Sequence, residues 1–302
     1  MKQSKPSSEQ ISISRRGLLA SAAVVAGTAL GTSFTFADEK PAVVNGRINQ
    51  SVVPWCFRPK MNTEQLCIVA KQLGLKSVEL CKEKDFATLK KHGLICAITS
   101  SHGFSKGWNH LENHDYCREQ LTLAIETTAA AGFPAVITFS GMREKLTDEE
   151  GKDNMVKGLK TIIGLAEKHK VNICIEPLNS RVDITMKGHP GYQCDKVEWA
   201  VEICDRIGSE NLKILFDIYH TQIMQGDVIT RIRQYKDYIG HYHTAGVPGR
   251  NELDDEQEIN YPAIMKEIVA TGYKGYVGQE FIPKHQDDQV GSLRQAIKLC
   301  DV

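Results

Sequence analysis

The chain has no excess of charge of either sign, since its 302 residues contain 37 lysines and arginines against 37 aspartates and glutamates. A protein that binds nucleic acid needs a basic surface facing the phosphates, and an acidic solvating tail would show a run of carboxylates. The balance therefore excludes nucleic acid as an expected partner. The 41% apolar and 25% charged residues are instead typical of an ordinary globular protein.

Two familiar cysteine and glycine patterns are also missing. The nine cysteines are odd in number and contain no Cys-x-x-Cys pair, so most are predicted to be small buried apolar residues, with a single disulfide left open. No glycine-rich turn follows the first predicted strand, where residues 55–60 read Trp-Cys-Phe-Arg-Pro-Lys. A dinucleotide-binding open sheet would carry such a turn there, so that architecture is disfavoured.

The first 37 residues differ from the rest of the chain. Arg15 and Arg16 precede residues 17–37, a stretch of small and apolar residues without one charge that closes on Thr-Phe-Ala. The pattern predicts a twin-arginine-type export signal in residues 1–37, and hence a periplasmic or other extracytoplasmic location without stable membrane association once the signal is removed. An uncleaved membrane anchor is the alternative, but the many alanines, glycines, serines and threonines make the stretch only weakly apolar.

Residues 38–302 alternate short apolar runs with helical patterns from end to end. The stretches between the runs place apolar residues at i, i+3, i+4 and i+7, as amphipathic helices do. The apolar runs predict eight strands, at residues 50–54, 77–80, 95–99, 135–139, 172–176, 212–217, 239–244 and 276–280. Eight such units in about the 250 residues typical of the architecture predict a single α/β domain, a (β/α)8 TIM barrel, rather than a doubly wound open sheet.

Several boundaries between these elements are marked by residue type. Two residue pairs have the spacing of a capping box, and two glycines stand where helices are predicted to end: Asn62 with Gln65, Asp195 with Glu198, Gly74 and Gly208. Three loops, residues 100–114, 177–194 and 245–260, are long enough to act as lids over one end of the barrel.

Residues able to bind a divalent cation end four consecutive predicted strands: Glu176, Asp217, His243 and Glu280. The carboxyl ends of barrel strands meet at one face, so these side chains are predicted to converge. Three converging carboxylates would repel one another and be driven toward protonation unless a cation compensated them. Three oxygen ligands and one imidazole suit Mn²⁺ or Mg²⁺, with Co²⁺ or Zn²⁺ as substitutes. His241, two residues before His243 on the same side of its strand, is predicted to lie one layer deeper as a hydrogen-bonded core residue.

Five stretches in the C-terminal half carry a family resemblance. They read Ile-Glu-Pro-Leu-Asn at 175–179, Phe-Asp-Ile-Tyr-His-Thr-Gln at 216–222, Gly-His-Tyr-His-Thr-Ala-Gly-Val-Pro-Gly-Arg at 240–250, Glu-Ile-Asn-Tyr-Pro at 258–262 and Gly-Tyr-Lys-Gly-Tyr-Val-Gly-Gln-Glu at 272–280. These motifs resemble those of the hydroxypyruvate isomerase family. That family belongs to the xylose-isomerase-like TIM barrels, which also include ketose 3-epimerases. The resemblance is dense from about residue 172 to 283 and faint before it.

The resemblance implies a role for each matching position. Glu176, Asp217, His243 and Glu280 match metal ligands, and the two glutamates match the pair that exchanges the substrate proton. Three further residues match positions near the substrate or lie in a matching motif: His220, Arg250 and Glu258. His102, which follows the third predicted strand, could face the same mouth. The implied enzyme is an intramolecular oxidoreductase, a metal-dependent aldose–ketose type isomerase that converts a small hydroxy-keto acid or ketose through an enediolate.

Two departures from the isomerase motifs keep alternatives open. His243 stands where the isomerases commonly have glutamine and the epimerase branch has histidine, and residues 281–284 read Phe-Ile-Pro-Lys where a polar or basic residue is usual. A ketose 3-epimerase would use the same ligands but return the proton to the other face of the same carbon. An exported sugar-binding protein without turnover is a further alternative, whereas a DNA-repair endonuclease is disfavoured by the charge balance and by too few His and Asp ligands.

Other residues carry weaker signals. Glu79 ends the second predicted strand, and a structural role for it is as expected as contact with substrate. His189, together with Lys106, Lys187 and Lys284, lies on a predicted loop and is expected to be solvated. The expected partner is a small keto acid or sugar, and a homo-oligomer stays open as the assembly state.

Overall fold

The computed structural model of the chain describes residues 40–302, so the predicted export signal at residues 1–37 lies outside the described part. Within residues 40–302, seven parallel strands form one sheet. Their bounds are β1 (Asn49–Val52), β2 (Ser77–Val78), β3 (Ala135–Thr138), β4 (Asn172–Ile175), β5 (Leu212–Asp217), β6 (Ile239–Thr244) and β7 (Tyr276–Gln279). Each of them coincides with a predicted strand to within two residues at either end.

The sheet curls because β1, the first strand of the sheet, pairs with β7, the last. The full strand order is β2-β1-β7-β6-β5-β4-β3, and every pair is parallel. Residues 95–99, the third predicted strand, lie between the two outer strands through single bridges, Ser77 to Ile95 and Thr99 to Val136. The segment lacks a regular ladder because part of its backbone bonds to side chains: the Ala97 amide donates to the Ser77 hydroxyl at 2.8 Å. The domain is therefore a TIM-barrel-like α/β domain with a seven-stranded sheet.

Ten α-helices of the described residues lie between and after the strands. They are α1 (Thr63–Leu73), α2 (Glu83–Lys91), α3 (His114–Ala131), α4 (Asp148–Leu159), α5 (Ile163–His169), α6 (Val197–Ile207), α7 (Ile218–Met224), α8 (Val228–Tyr235), α9 (Tyr261–Ala270) and α10 (Gln289–Cys300). Two short 3-10 helices, Pro54–Phe57 and Leu111–Asn113, complete the set.

Helix α1 follows its sequence signals closely. Its buried residues include the predicted apolar stripe, and its N-terminus is closed by the capping box of Asn62 and Gln65, whose reciprocal hydrogen bonds measure 2.9 and 3.0 Å. Gly74 then takes a left-handed φ of 91°, a conformation that costs glycine nothing because it has no Cβ. The predictions for both ends of this helix are confirmed.

The predicted capping box at the start of α6 is wrong. The helix begins at Val197, and the Asp195 carboxylate instead accepts a hydrogen bond from the Ser180 hydroxyl at 2.6 Å. The Val197 amide donates to the side-chain oxygen of Gln225 at 3.0 Å, so the cap comes from the residue that follows α7. A contact between residues so far apart in the chain leaves no local sequence signal. Gly208, with φ of 71°, ends the helix as predicted.

The barrel interior is apolar next to the strands that carry the site. Five buried residues pack together there: Ile98, Ala135, Ile137, Cys174 and Leu215. All nine cysteines are buried and free, which confirms the prediction that they serve as small apolar residues. Among residues 40–302, no helix combines the length and the apolar character needed to cross a membrane.

Candidate active site

The four predicted cation-binding residues meet at the carboxyl ends of β4 to β7. Glu176, Asp217, His243 and Glu280 are buried, and each offers one ligand atom within 4.8 Å of the others. Asp217 pairs in register with His243, which in turn lies opposite Gly278 on β7, so neighbouring strands bring the side chains to one level. The structure thus brings together residues that lie up to 104 positions apart in the chain.

Unpaired atoms in this cluster show that it fits a cation. His243 Nδ1 lies 2.8 Å from Glu280 Oε2 and 3.6 Å from Glu176 Oε1, yet the first contact lacks the direction of a hydrogen bond and the second is too long for one. Within the described part of the chain, this nitrogen and Glu176 Oε1 are buried without a hydrogen-bond partner. An unsatisfied buried polar atom costs about 1–3 kcal/mol, so atoms left unpaired at one point favour a ligand there.

Arg250 is a buried positive charge that contacts two of the carboxylates. Its guanidinium lies 2.6 Å from Glu280 Oε2 and 3.5 Å from Asp217 Oδ2, and it donates to the Met186 carbonyl at 2.7 Å. The group is stacked near two aromatic rings, with Trp55 at 5.2 Å and Tyr219 at 5.5 Å. Arg250 Nε has no partner among the described residues, so one donor of the fork remains available.

The two glutamates of the cluster have opposite proton affinities. Burial raises the pKa of Glu176 to about 7, against the opposing effect of the neighbouring His243. Burial also acts on Glu280, but the charges of Arg250 and His243 outweigh it and hold the pKa of Glu280 well below its usual range. One carboxyl can therefore carry a proton near neutral pH while the other stays ionised, which is the arrangement expected of an acid and base pair.

His220 is a neutral hydrogen-bond donor beside the cluster. Its Nδ1 accepts the backbone N–H of Asn179 at 3.0 Å, so the ring proton belongs on Nε2. Nε2 is buried without a partner in residues 40–302 and lies 3.6 Å from Asp217 Oδ2. Burial and the charge of Arg250 lower the pKa of His220 well below its usual value, so the imidazole stays uncharged at neutral pH.

Glu79 and His241 lie beneath the cluster. The Glu79 carboxylate is fully buried and contacts His241 Nε2 at 3.0 Å and His243 Nε2 at 3.0 Å. Burial opposes its ionisation, but the two histidines lower the pKa of Glu79 to about 2. His241 occupies the deeper, hydrogen-bonded position that its place on the strand predicts. The link from Glu79 to β6 joins residues more than 160 positions apart, which no local pattern could indicate.

A cavity of about 140 Å³ opens above the carboxylates. The three predicted lid loops all contribute to its wall, through Phe104, His189 and Arg250. Glu176 and Glu280 lie at its floor, and much of the remaining wall is apolar, formed by residues such as Trp55, Ile137, Phe139 and Leu178. The arrangement supplies a small, partly open space with charged groups concentrated on one side.

The prediction that His189 is a solvated loop residue is wrong. Its side chain is only 7% exposed, and its ring centroid lies 4.2 Å from that of Phe104 and 5.9 Å from that of His220. Burial and the charge of Arg250 lower the pKa of His189 to about 4, so the ring is neutral at pH 7. No hydrogen bond joins its ring nitrogens to the part of the protein that the structure describes, which leaves them available to a ligand.

Of two other predicted substrate contacts, His102 lies at the cavity above the carboxylates and Glu258 lies away from it. His102 lines the cavity, but its Nε2 bonds to the Thr138 hydroxyl at 2.8 Å and its Nδ1 lies 3.1 Å from the Gly103 and Lys106 carbonyls. Both nitrogens are therefore used within the protein. Glu258 is exposed, accepts a hydrogen bond from Gln222 at 3.0 Å, and lines a separate surface cavity beside α10.

Comparisons with known proteins agree with the fold and the motifs. The model of the xylose isomerase-like TIM barrel family matches residues 68–300. The 2-oxo-tetronate isomerase of Cupriavidus necator is 39% identical over 38% of this chain and 41% of its own length. The hydroxypyruvate isomerase of Escherichia coli is 32% identical over 55% of this chain and 62% of its own length. The chain thus spans about two fifths to three fifths of these curated relatives, and the predicted family resemblance is confirmed.

Solved structures show the same architecture at lower identity. A D-psicose 3-epimerase from Clostridium cellulolyticum H10, crystallised with D-tagatose, has a TM-score of 0.69 and 13% identity, covering 84% of this chain and 100% of that one. A family 2 AP endonuclease from Brucella melitensis has a TM-score of 0.70 and 23% identity, covering 78% of this chain and 94% of that one. Identities this low establish the fold alone.

Proposed function

The chain belongs to the xylose isomerase-like TIM barrel family, and from that premise we propose that it is a metal-dependent isomerase acting on a small hydroxy-keto acid or ketose. The observation that supports this most directly is the buried cluster of Glu176, Asp217, His243 and Glu280, whose two glutamates have opposite proton affinities. The names of the isomerase relatives from Cupriavidus necator and Escherichia coli point to the same class of reaction.

In this proposal the four clustered residues hold a divalent cation, Mn²⁺ or Mg²⁺ being the best matched to three carboxylates and one imidazole. A bound cation would act as a Lewis acid and stabilise the negative charge that develops on the substrate oxygens. Glu280, ionised in the free protein, removes the proton next to the carbonyl. Glu176, ionised once the cation is bound, takes the proton of the substrate hydroxyl that becomes the new carbonyl and delivers it to the neighbouring carbon, while Glu280 passes its proton to the former carbonyl oxygen.

Two hydrogen-bond donors, the neutral His220 and the positively charged Arg250, orient the substrate in this proposal. His220 Nε2–H is unpaired and faces Asp217, so it can donate to the carbonyl oxygen without adding a charge. Arg250 keeps Nε free and lies within reach of the glutamate at the cavity floor, so it can hold a terminal carboxylate or hydroxyl. The cavity of about 140 Å³ is smaller than the roughly 300–1,000 Å³ of pockets that take drug-sized ligands, which favours a substrate of few carbon atoms.

A ketose 3-epimerase is the second candidate because His243 completes the ligand set with histidine, as in the epimerase branch. Product analysis separates the two reactions. The protein is incubated in D₂O with hydroxypyruvate and, separately, with D-tagatose, and the products are identified by NMR. The proposal expects deuterium and a rearranged carbonyl in the keto acid. Epimerisation of the ketose alone would favour the second candidate, and a metal-loaded protein without exchange on either compound would favour a binding protein.

We also propose that the chain is exported, since the twin-arginine pattern at residues 1–37 precedes the domain. Expression with and without an Arg15→Lys, Arg16→Lys double substitution, followed by fractionation and mass determination, tests this. Export with loss of the signal is expected for the unaltered chain and retention for the variant. Equal distribution of both chains would contradict the proposal.

Replacing His189 tests whether its unpaired imidazole contacts the substrate. His189→Phe keeps a ring against Phe104 but removes both nitrogens, so we expect KM to rise about two- to tenfold, the value of one hydrogen bond, with little change in kcat. Steady-state kinetics on the identified substrate provide the measurement. His285→Phe, at an exposed loop position, is the matched control and should leave both constants unchanged. An unaltered KM in His189→Phe would show that the ring is only a packing element.

Cation binding is expected to release protons at pH 7. Burial raises the pKa of Glu176 to about 7, and the neighbouring carboxylates raise the pKa of His243 despite its burial, so both groups carry protons that a cation must displace. Affinity for Mn²⁺ should therefore increase as the pH rises through 7. Calorimetric titration in two buffers of different ionisation enthalpy measures the released protons. Identical heats in both buffers would contradict the expectation.

A further inference from the structure

A fully buried carboxylate in the barrel, that of Glu79, is shared by two histidines of one strand. Glu79 has no exposed surface, and its Oε1 lies 3.1 Å from His241 Nε2 and 3.0 Å from His243 Nε2. The two imidazoles are themselves edge to face, with centroids 5.1 Å apart. A fully buried carboxylate is costly unless it is paired and hydrogen-bonded, so these contacts are what keep it in the interior.

The contacts decide which nitrogen of His243 carries a proton. An ionised carboxylate only accepts hydrogen bonds, so each histidine must present an N–H to Glu79 from Nε2. A neutral imidazole with its proton on Nε2 has its lone pair on Nδ1. In His243 that nitrogen is the one 2.8 Å from Glu280 and 3.6 Å from Glu176, where the ligand atoms of the cluster converge.

Strand β7 has a glycine, Gly278, at the point where the Glu79 carboxylate packs against it. A Cβ at Gly278 would lie 1.7 Å from Glu79 Oε1 and 2.9 Å from His243 Cδ2, distances that no side chain could adopt. The absence of a side chain at Gly278 therefore lets the Glu79 carboxylate reach both rings. Oε1 is shared by both histidines, and Oε2 lies 3.0 Å from His241 Nε2 but has no hydrogen bond to the described residues. Because both Nε2 atoms already bond to Oε1, they are not free to bind a second cation among the same three residues, which favours an orienting role.

We propose that Glu79 is a positioning residue, which holds His243 in the tautomer and ring orientation that direct Nδ1 at the cation, with His241 as its second anchor. The inference rests on the proposed metal centre and extends it to a residue outside the four ligands. A carboxylate behind a metal-bound histidine typically contributes 10- to 100-fold to metal affinity. His241, although it lies on the same strand as a ligand, acts only by sharing the carboxylate.

Glu79→Gln is the direct test, because glutamine has the same shape but no charge, so the two hydrogen bonds that Oε1 accepts lose their charge assistance. We expect the affinity for Mn²⁺, measured by electron paramagnetic resonance titration, to fall 10- to 100-fold. In the Mg²⁺-loaded protein, the Nε2–H proton signals of His241 and His243 should be present in the wild type and be lost or shifted in the variant. The second measurement reports ring orientation without relying on turnover.

A matched control separates orientation from the general cost of altering a buried carboxylate. Glu252 is 2% exposed and accepts hydrogen bonds from the Lys284 and His285 amides and the Ser292 hydroxyl, none of which belongs to the cluster. Glu252→Gln should lower thermal stability and leave Mn²⁺ affinity unchanged. If Glu79→Gln does not fold, Glu79→Asp, which withdraws the carboxylate by one methylene, is expected to show the same loss of affinity.

The outcomes distinguish this inference from the proposed function. A wild-type protein that binds Mn²⁺, together with a folded Glu79 variant that binds it equally tightly with unchanged histidine signals, would overturn the role of Glu79. A wild-type protein that binds no divalent cation would instead remove the metal centre itself. Loss of affinity in the Glu79 variant with full affinity in Glu252→Gln supports the inference.

Discussion

Replacing Glu280 by glutamine is expected to lower kcat by about 10²- to 10⁴-fold, the contribution of a positioned general base. Glu280 is the carboxylate that lies against Arg250 and His243, whose charges keep its pKa well below the usual range, so it is unprotonated at neutral pH. Glutamine keeps an oxygen toward these groups but cannot take a proton. The rate of exchange of the substrate proton with solvent deuterium should fall by the same factor as turnover.

The comparison must be made with the cation at saturation, because Glu280 is also one of the proposed ligands. Glu210→Gln is a suitable control, since that side chain is almost fully exposed and, among residues 40–302, pairs only with Lys213. It should retain wild-type kinetics. Near-normal turnover of Glu280→Gln with metal bound would show that another group removes the proton, and the assigned role would be wrong.

Removing divalent cations with a chelator is expected to reduce activity to the background level, and adding Mn²⁺ or Mg²⁺ should restore it. Without a cation, three buried carboxylates face one another with only Arg250 and His243 to compensate them. Arg250 is already paired with Glu280 and His220 is uncharged, so neither supplies the positive charge that a cation would bring to the enediolate oxygens.

The same treatment should change stability in a predictable direction. A ligand present at 100 times its dissociation constant stabilises the folded state by about 2.7 kcal/mol, so Tm should rise by several degrees on addition of Mn²⁺. Asp217→Asn removes one charged ligand and should abolish most of that rise while keeping a similar Tm in the chelator. Activity that persists in chelator, in a protein shown to be free of metal, would contradict the proposal.

Much of the architecture could be predicted from local patterns because each strand is a short apolar run bounded by polar residues. Strands β5 and β6 were predicted to the residue. Residues 95–99 were predicted as a regular strand but form single bridges, because Ser77 bonds to the backbone of Ala97 through its side chain. The cap of α6 could not be predicted for a similar reason, since it comes from Gln225, the residue that follows α7.

The site residues also differ in whether a local sequence pattern could predict them. Glu176, Asp217, His243 and Glu280 could be found because parallel strands deliver their carboxyl ends to one face, so position along a strand predicts position in space. The environment of His189 could not be predicted, because its burial depends on Phe104 from another loop and on His220 from α7. The contact of Glu79 with two histidines of β6 likewise depends on the side-chain-free surface at Gly278, which only the closed sheet reveals.

The number of Mn²⁺ ions bound per chain tests the central claim most directly, because the account requires one cation held jointly by four side chains. Electron paramagnetic resonance titration of metal-free protein measures it in the wild type and in Asp217→Asn. We predict one tight site in the wild type and a large loss of affinity in the variant. No tight binding in the wild type, or equal binding in the variant, would contradict the assignment of this cluster as a metal centre.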